Sequence, residues 1–257
     1  MSKLVEKLES LCEGRAQPMG FAAAMAREKR SPMLLIVSLS GTALESAVDL
    51  AGGDAVLVTV ADMAKTATLG ERAKGWGDLP WGVMIKAVTA EGLKQLAGLG
   101  CDFIIFDAAQ APLSLLNDDA IGKVVSLDPS LPDSLIRAVD CFPIDAAFVG
   151  ESVEGAALSV YQLLVYQRLA NLVRRPLLTP VPAELGEGDL EALLEAGVMG
   201  VIVEVAGKRS IGRLAEVRRT IDSISTSRKK REKVDALLPR LAEPGALPEE
   251  GEEEEEE

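Results

Sequence analysis

The stretches "VMIKAV" (83–88) and "FIIFDA" (103–108) are apolar runs about twenty residues apart. Each ends on one charge, Lys86 in the first and Asp107 in the second. A lysine amine can attack a carbonyl as a Schiff-base nucleophile where desolvation lowers its pKa. It can also donate a proton or anchor an anion while a carboxylate orients it. A salt bridge at the rim of the fold, without chemistry, fits the same two residues. The 257 residues contain no histidine, so the usual general base near neutral pH and the commonest metal ligand are both missing. Acid–base work falls to Lys, Asp, Glu, Tyr or Cys. Lys86, Asp107 and Glu204, which stands in the later run "GVIVEV", form the candidate catalytic set. The carboxylates of Asp107, Asp128, Glu151 and Glu204 are oxygen ligands of the kind Mg²⁺ takes, but no ligand spacing marks them and no metal is assigned.

A second candidate is "VAGKRSIGRL" (205–214). Gly207 allows a close backbone turn, Lys208 and Arg209 supply positive charge, and Ser210 suits the N-cap of the helix that follows. The free N–H groups of such a helix start attract anions. Gly207, Lys208, Arg209 and Ser210 are therefore the candidate anion- or cofactor-binding residues, and an ordinary capped helix with two solvated charges reads the same way. The stretch "PVPAELGEGDL" opposes an anion there, because Glu184, Glu187 and Asp189 would repel it.

These residues need elements that bring them together. Apolar runs recur at 33–39, 55–60, 82–87, 103–108, 123–128, 145–150, 176–181 and 200–205, with starts roughly 20–30 residues apart, the length of one βα unit. They are apolar throughout rather than alternating, as strands covered on both faces are. The segments between them have helical periodicity and stops. In "TAEGLKQLAGLG", Thr89 is the predicted N-cap and Gly98 and Gly100 the stop; in "DLEALLEAG", Asp189 is the predicted cap and Gly197 the stop. "SVYQLLVYQRLANLV" (159–173) and "SIGRLAEVRRTIDSI" (210–224) are further helices.

Eight such units predict an α/β fold, a (β/α)8 TIM barrel over 33–225, with an open doubly wound sheet as the alternative. No GxGxxG turn follows the first strand. In a barrel the site lies at the C-terminal strand ends. Ser38, Ser40, Thr59, Asp62, Lys86, Asp107, Ser126, Asp128, Glu151, Thr179 and Glu204 are assigned to that end, and Asp54, Asp102 and Asp145 to the opposite end as structural residues. An N-terminal helix and lead-in occupy 1–32, and "PMGFAAA" (18–24) is either lead-in or an extra strand. A basic helical extension follows over 226–242 (Arg228, Lys229, Lys230, Arg231, Lys233), then an acidic tail over 243–257 that composition predicts to be disordered.

The unit "MIKAVTAEGLKQLAGLGCDFIIFDA", followed by "LLTPVPAELGEGDLEALLEAGVMGVIVEV", resembles the phosphate-binding and flavin-binding (β/α)8 barrels in general. That resemblance implies a barrel enzyme acting on a small anionic metabolite, and it allows flavin as a cofactor, although the composition requires none. Most such barrels carry a glycine pair before the helix after strand eight, where this chain has Gly207 followed by Lys208 and Arg209.

Composition narrows the classes further. Aromatic residues make up 4% and the net charge is −13, which argues against nucleic-acid binding. Eight of the glutamates stand in the last nine residues. Cys12, Cys101 and Cys141 form no CxxC pair and read as buried free thiols of a reducing compartment. No stretch approaches eighteen uncharged apolar residues, so neither a membrane span nor a membrane partner is expected and the location is expected to be cytoplasmic. Two functions follow: a lyase, aldolase or isomerase centred on Lys86 and Asp107, or a non-catalytic barrel that binds a protein partner through its charged C-terminal segments.

Overall fold

The computed structural model describes residues 2–15, 31–40, 50, 52–61, 66, 68–150, 158–206 and 208–224. Eight parallel strands, β1 (Leu34–Leu39), β2 (Ala55–Val60), β3 (Trp81–Ile85), β4 (Phe103–Asp107), β5 (Gly122–Ser126), β6 (Ala146–Phe148), β7 (Leu177–Val181) and β8 (Val198–Val205), close in sequence order into a barrel. β8 pairs with β1 from Leu34↔Gly200 to Leu39↔Val205, which completes the ring and excludes the open sheet. The helices are α1 (Lys3–Arg15), α2 (Leu69–Ala73), α3 (Ala90–Gly98), α4 (Asp133–Ala138), α5 (Val160–Leu172), α6 (Glu187–Glu195) and α7 (Lys208–Ser223).

The strands read as uniformly apolar because both faces are buried. Outward residues such as Val37, Val58, Val83, Ile104, Val125 and Val203 pack under the helices. Inward residues fill the barrel: Leu34, Ile36, Leu57, Phe103, Ile105, Val124, Leu178 and Ile202 form a separate core with Leu4 and Leu8 of α1. Small residues make room for large ones inside. A Cβ on Gly82 would lie 2.4 Å from the Phe103 carbonyl oxygen and 2.6 Å from its ring, so the glycine of "WGVMI" is the space that the phenylalanine fills.

The entry end of the barrel is built around aspartates. Asp54 Oδ2 accepts the Leu35 N–H at 2.9 Å and Arg218 Nη1 at 2.7 Å, and Asp145 Oδ2 accepts the Lys123 N–H at 2.7 Å. Asp102 serves α1 instead. Its Oδ2 takes the Ser2 hydroxyl at 2.7 Å and the Leu4 N–H at 3.0 Å, and its Oδ1 takes the Lys3 N–H at 2.7 Å. A helix start has unpaired N–H groups that a carboxylate satisfies. This places α1 across the barrel floor with Leu4 and Leu8 pointing in, and Gly122 lies so close to Ser2 that a Cβ would be 2.7 Å from its Oγ. The structural reading of these three aspartates holds.

Several helix ends are as the sequence predicts. The Thr89 hydroxyl accepts the Gly92 N–H at 3.1 Å, and Gly100 and Gly197 end α3 and α6 with φ of 83° and 92°. At the start of α5, where no cap was expected, Ser159 and Gln162 form a capping box. Two caps are corrected. Asp189 is not the N-cap of α6; it is the third helical residue and reaches back to the Gly186 N–H at 3.1 Å. Ser210 is not the N-cap of α7, because that helix starts at Lys208 and Ser210 lies inside it. Cys101 is buried as expected, but Cys12 and Cys141 are exposed, and none of the three is in a disulfide. The segment 18–24, the basic extension and the acidic tail lie outside the described residues.

Candidate functional site

Strand parity decides which side chains reach the mouth. The alternation that puts Gly82 and Met84 inside carries on to Lys86, one residue past the end of β3. The same alternation runs from Phe103 and Ile105 to Asp107, and from Gly200 and Ile202 to Glu204. The registers Gly82↔Phe103 and Met84↔Ile105 set Lys86 next to Asp107, one strand away. Ser126 pairs with Asp107, and Ser38 pairs with Glu204. The apolar filling therefore gives way to a polar upper layer at the C-terminal ends, where Lys86, Asp107, Glu204 and Thr59 are exposed and Ser38 and Ser126 half-buried. Its floor includes Met84 and Phe148, the latter turned so that a Cβ on Gly150 would sit 2.6 Å from its ring.

Hydrogen bonds show how committed each group is. Asp107 Oδ1 accepts the Ala109 N–H at 2.9 Å, a local turn of the type aspartate favours. Asp128 Oδ1 accepts the Ser130 N–H at 2.8 Å; that N–H, with the Ser130 hydroxyl second, holds the Asp128 carboxyl below the usual carboxylate range. Glu204 Oε1 accepts the Ser40 hydroxyl at 2.7 Å across the β8–β1 seam. Lys86 takes part in none of the salt bridges or side-chain hydrogen bonds among the described residues, so it forms no rim salt bridge with Asp107. No group of three or more Asp, Glu or Cys side chains is arranged to hold a metal ion among the described residues.

The remaining expected residues divide. Thr179 is not at the mouth: it points outward, fully buried, and its hydroxyl donates to the Val149 carbonyl at 3.2 Å. Asp62, Glu151 and Gly207 lie outside the described residues, and Lys208, Arg209 and Ser210 open α7. Glu184 of the β7–α6 loop pairs with Arg213 of α7 instead of facing a free anion site. Sequence reasoning missed Arg168, whose guanidinium on α5 donates to the Pro129 carbonyl at 2.9 Å and the Leu131 carbonyl at 3.3 Å and also pairs with Asp133. It staples the loop that carries Asp128. No local signal marks such a contact, since its partners are 35–39 residues away. The Asp107 and Asp128 turns were not expected either, although an aspartate at or just past the end of a strand is a turn-forming signal that could have marked them.

No known family model matches the chain, and no curated protein matches it. Solved structures do. A variant of the tryptophan synthase alpha-subunit from the hyperthermophile Pyrococcus furiosus is similar over 74% of this chain and 96% of its own length, with a TM-score of 0.53 and 13% identity. The YdjI aldolase from Escherichia coli is similar over 86% of this chain and 93% of its own, with a TM-score of 0.52 and 11% identity. Folds host many unrelated activities. What this chain shares with both is the (β/α)8 barrel.

Proposed function

We propose that the barrel mouth binds a small anionic metabolite held by Lys86, and that the protein is an enzyme of the lyase, aldolase or isomerase type acting on it. The observation that carries this reading is the uncommitted state of Lys86: a cation on the inward face at the C-terminal end, beside a carboxylate, with no salt bridge in the described structure. A merely structural lysine at that register would be expected to pair with Asp107. Residues at the C-terminal strand ends are where barrel enzymes keep their chemistry. With no histidine in the chain, Lys86 serves as amine nucleophile, proton donor or anion anchor, and Asp107 or Glu204 takes or returns a proton. Gly207, Lys208, Arg209 and Ser210 form a second element of the proposal, as the anion-binding residues of the segment that leads from β8 into α7. Cysteines outside any disulfide at positions 12, 101 and 141 suit a reducing, cytoplasmic setting, and among the described residues no helix is long and apolar enough to cross a membrane.

The test is a thermal-shift screen of the full chain against phosphorylated sugars, carboxylic acids, nucleotides and flavins. A ligand at a hundred times its Kd adds about 2.7 kcal/mol to stability. A hit among the small anions that Lys86→Met abolishes, with the melting temperature of the free protein unchanged, supports the proposal. A hit that survives Lys86→Met moves the anchor elsewhere, and a screen without any hit sinks the proposal.

A second reading, a non-catalytic barrel that docks a protein partner, draws on α5. Val160, Tyr161 and Leu164 stand at 75%, 69% and 64% exposure on one stripe of that helix. An apolar stripe of that kind marks contact surfaces. A flat metabolite screen together with a partner lost on Leu164→Glu would establish it.

A further inference from the structure

The balance of charge in the mouth constrains the ligand beyond its sign. Asp107 and Glu204 stand on β4 and β8, half-way round the ring from each other. Each already uses one oxygen: Oδ1 of Asp107 on the Ala109 N–H and Oε1 of Glu204 on the Ser40 hydroxyl. The second oxygen of each carboxylate accepts no hydrogen bond from the described residues. An ionised carboxylate can only accept, so each of these exposed oxygens can take a donor from a ligand in place of water. Ser126 lies beside Asp107 and Ser38 beside Glu204 in register, which adds hydroxyls able to donate or accept on both walls. A ligand that was only an anion would be drawn to Lys86 and repelled by both carboxylates. A ligand with one anionic group and several hydroxyls satisfies all three: its charge meets Lys86 and its O–H groups donate to the open oxygens, in charge-assisted bonds that are the stronger kind.

Building on the reading of the mouth as an anion site held by Lys86, we infer that its ligand is a small polyhydroxylated molecule with one anionic group, its hydroxyls donating to Asp107 and Glu204. The anionic group is a carboxylate or a phosphate, and matched probes separate the two. In the first set, gluconate carries both features, hexanoate carries the charge without the hydroxyls, and sorbitol carries the hydroxyls without the charge. In the second set, glycerol phosphate, propyl phosphate and glycerol do the same.

The experiment is calorimetric titration of the full chain with all six. The expected result is that, in at least one set, the hydroxylated anion binds at least tenfold more tightly than both of its partners. Asp107→Ala and Glu204→Ala should each remove most of the preference over the hydroxyl-free anion, with cooperative thermal unfolding retained although the Ala109 and Ser40 hydrogen bonds are lost. If hexanoate or propyl phosphate binds as tightly as its hydroxylated match, and Lys86→Met abolishes that binding, the hydroxyl inference is overturned and the anion site stands. If sorbitol or glycerol binds as well as the anions, or if none of the six binds, the anion site falls and the inference falls with it.

Discussion

Removing one carboxylate, that of Asp102, should loosen a whole element while leaving the barrel closed. The side chain accepts three hydrogen bonds from the start of α1, from Ser2 Oγ, Lys3 N and Leu4 N. Loss of a capping carboxylate costs about 0.5–2 kcal/mol. The Ser2 hydroxyl, on a residue that is 5% exposed, then lacks an acceptor, which adds about 1–3 kcal/mol while it stays buried. Asp102→Ala should therefore destabilise by about 1.5–5 kcal/mol. That cost has a ceiling, because α1 can leave the floor once its attachment is worth less than the strain of staying. What it gives up on leaving is the burial of Leu4 and Leu8, at 0% and 1% exposure, about 1.5–3 kcal/mol for each side chain.

The two outcomes separate in a double-mutant cycle. Leu8→Ala alone should cost about 2–5 kcal/mol, as buried leucines do. In an Asp102→Ala background with α1 released, the same change should cost less than about 0.5 kcal/mol, since the leucine is already in water. Urea titration followed by tryptophan fluorescence reads this directly: the Asp102 N–H donates to the Trp81 carbonyl at 2.8 Å, and Trp81 packs edge-on against Trp76 with ring centroids 6.0 Å apart. If Asp102→Ala costs under about 0.5 kcal/mol, or if Leu8→Ala costs the same in both backgrounds, the carboxylate does not hold α1 and the account of the floor is wrong.

Two further outcomes follow from burial. Desolvation pushes the Cys101 thiol up from 9.0 to about 12; its folded pKa lies above the unfolded one, so stability is full below pH 9 and lost as pH rises toward 12, at about 1.4 kcal/mol per unit. The stability gap between wild type and Cys101→Ala should narrow by about 2–3 kcal/mol between neutral pH and about pH 11, and an unchanged gap in urea titrations at those pH values would refute the burial argument. Gly82→Ala sets a Cβ against the Phe103 backbone and should cost at least about 2 kcal/mol, whereas Gly98→Ala inside α3, where nothing lies within 4 Å, should raise stability by about 0.5–1 kcal/mol; equal thermal shifts for the two variants would contradict the packing.

The barrel was readable from the chain because its causes are local. Runs such as "LLIVSL" and "AVLVTV" lack alternation only because helices cover one face and the barrel interior the other, and a glycine at positive φ after α3 and α6 marks where each unit turns back. The mouth was readable in part. Parity alone aims Lys86, Asp107 and Glu204 inward, and closure of the ring brings Ser38 beside Glu204. The partner of each group was not readable, because it depends on small backbone choices. Asp107 bonds the loop that follows it, not the neighbouring lysine. Thr179 faces outward because β7 ends its inward row on Leu178 and Pro180, a matter of one residue in register. The start of α7 was misjudged by two residues, since Lys208 and Arg209 carry no helix-start signal that outranks a serine.

The two ends of the barrel use the same residue types in opposite ways, and that contrast is the strongest argument for a site. At the entry end Asp54, Asp102 and Asp145 each accept hydrogen bonds from a different element, and the parts of the chain they join lie 19–164 residues apart. Changing any one should be read as a change in folding. At the exit end Asp107 bonds only its own turn, Glu204 bonds one serine across the seam, and Lys86 enters no salt bridge among the described residues. Carboxylates that hold a fold together spend their oxygens on donors from other elements, as Asp54, Asp102 and Asp145 do. Groups kept at the mouth of a closed barrel with donors and acceptors to spare are available to a ligand, and it is their spare capacity that the proposed binding experiments measure.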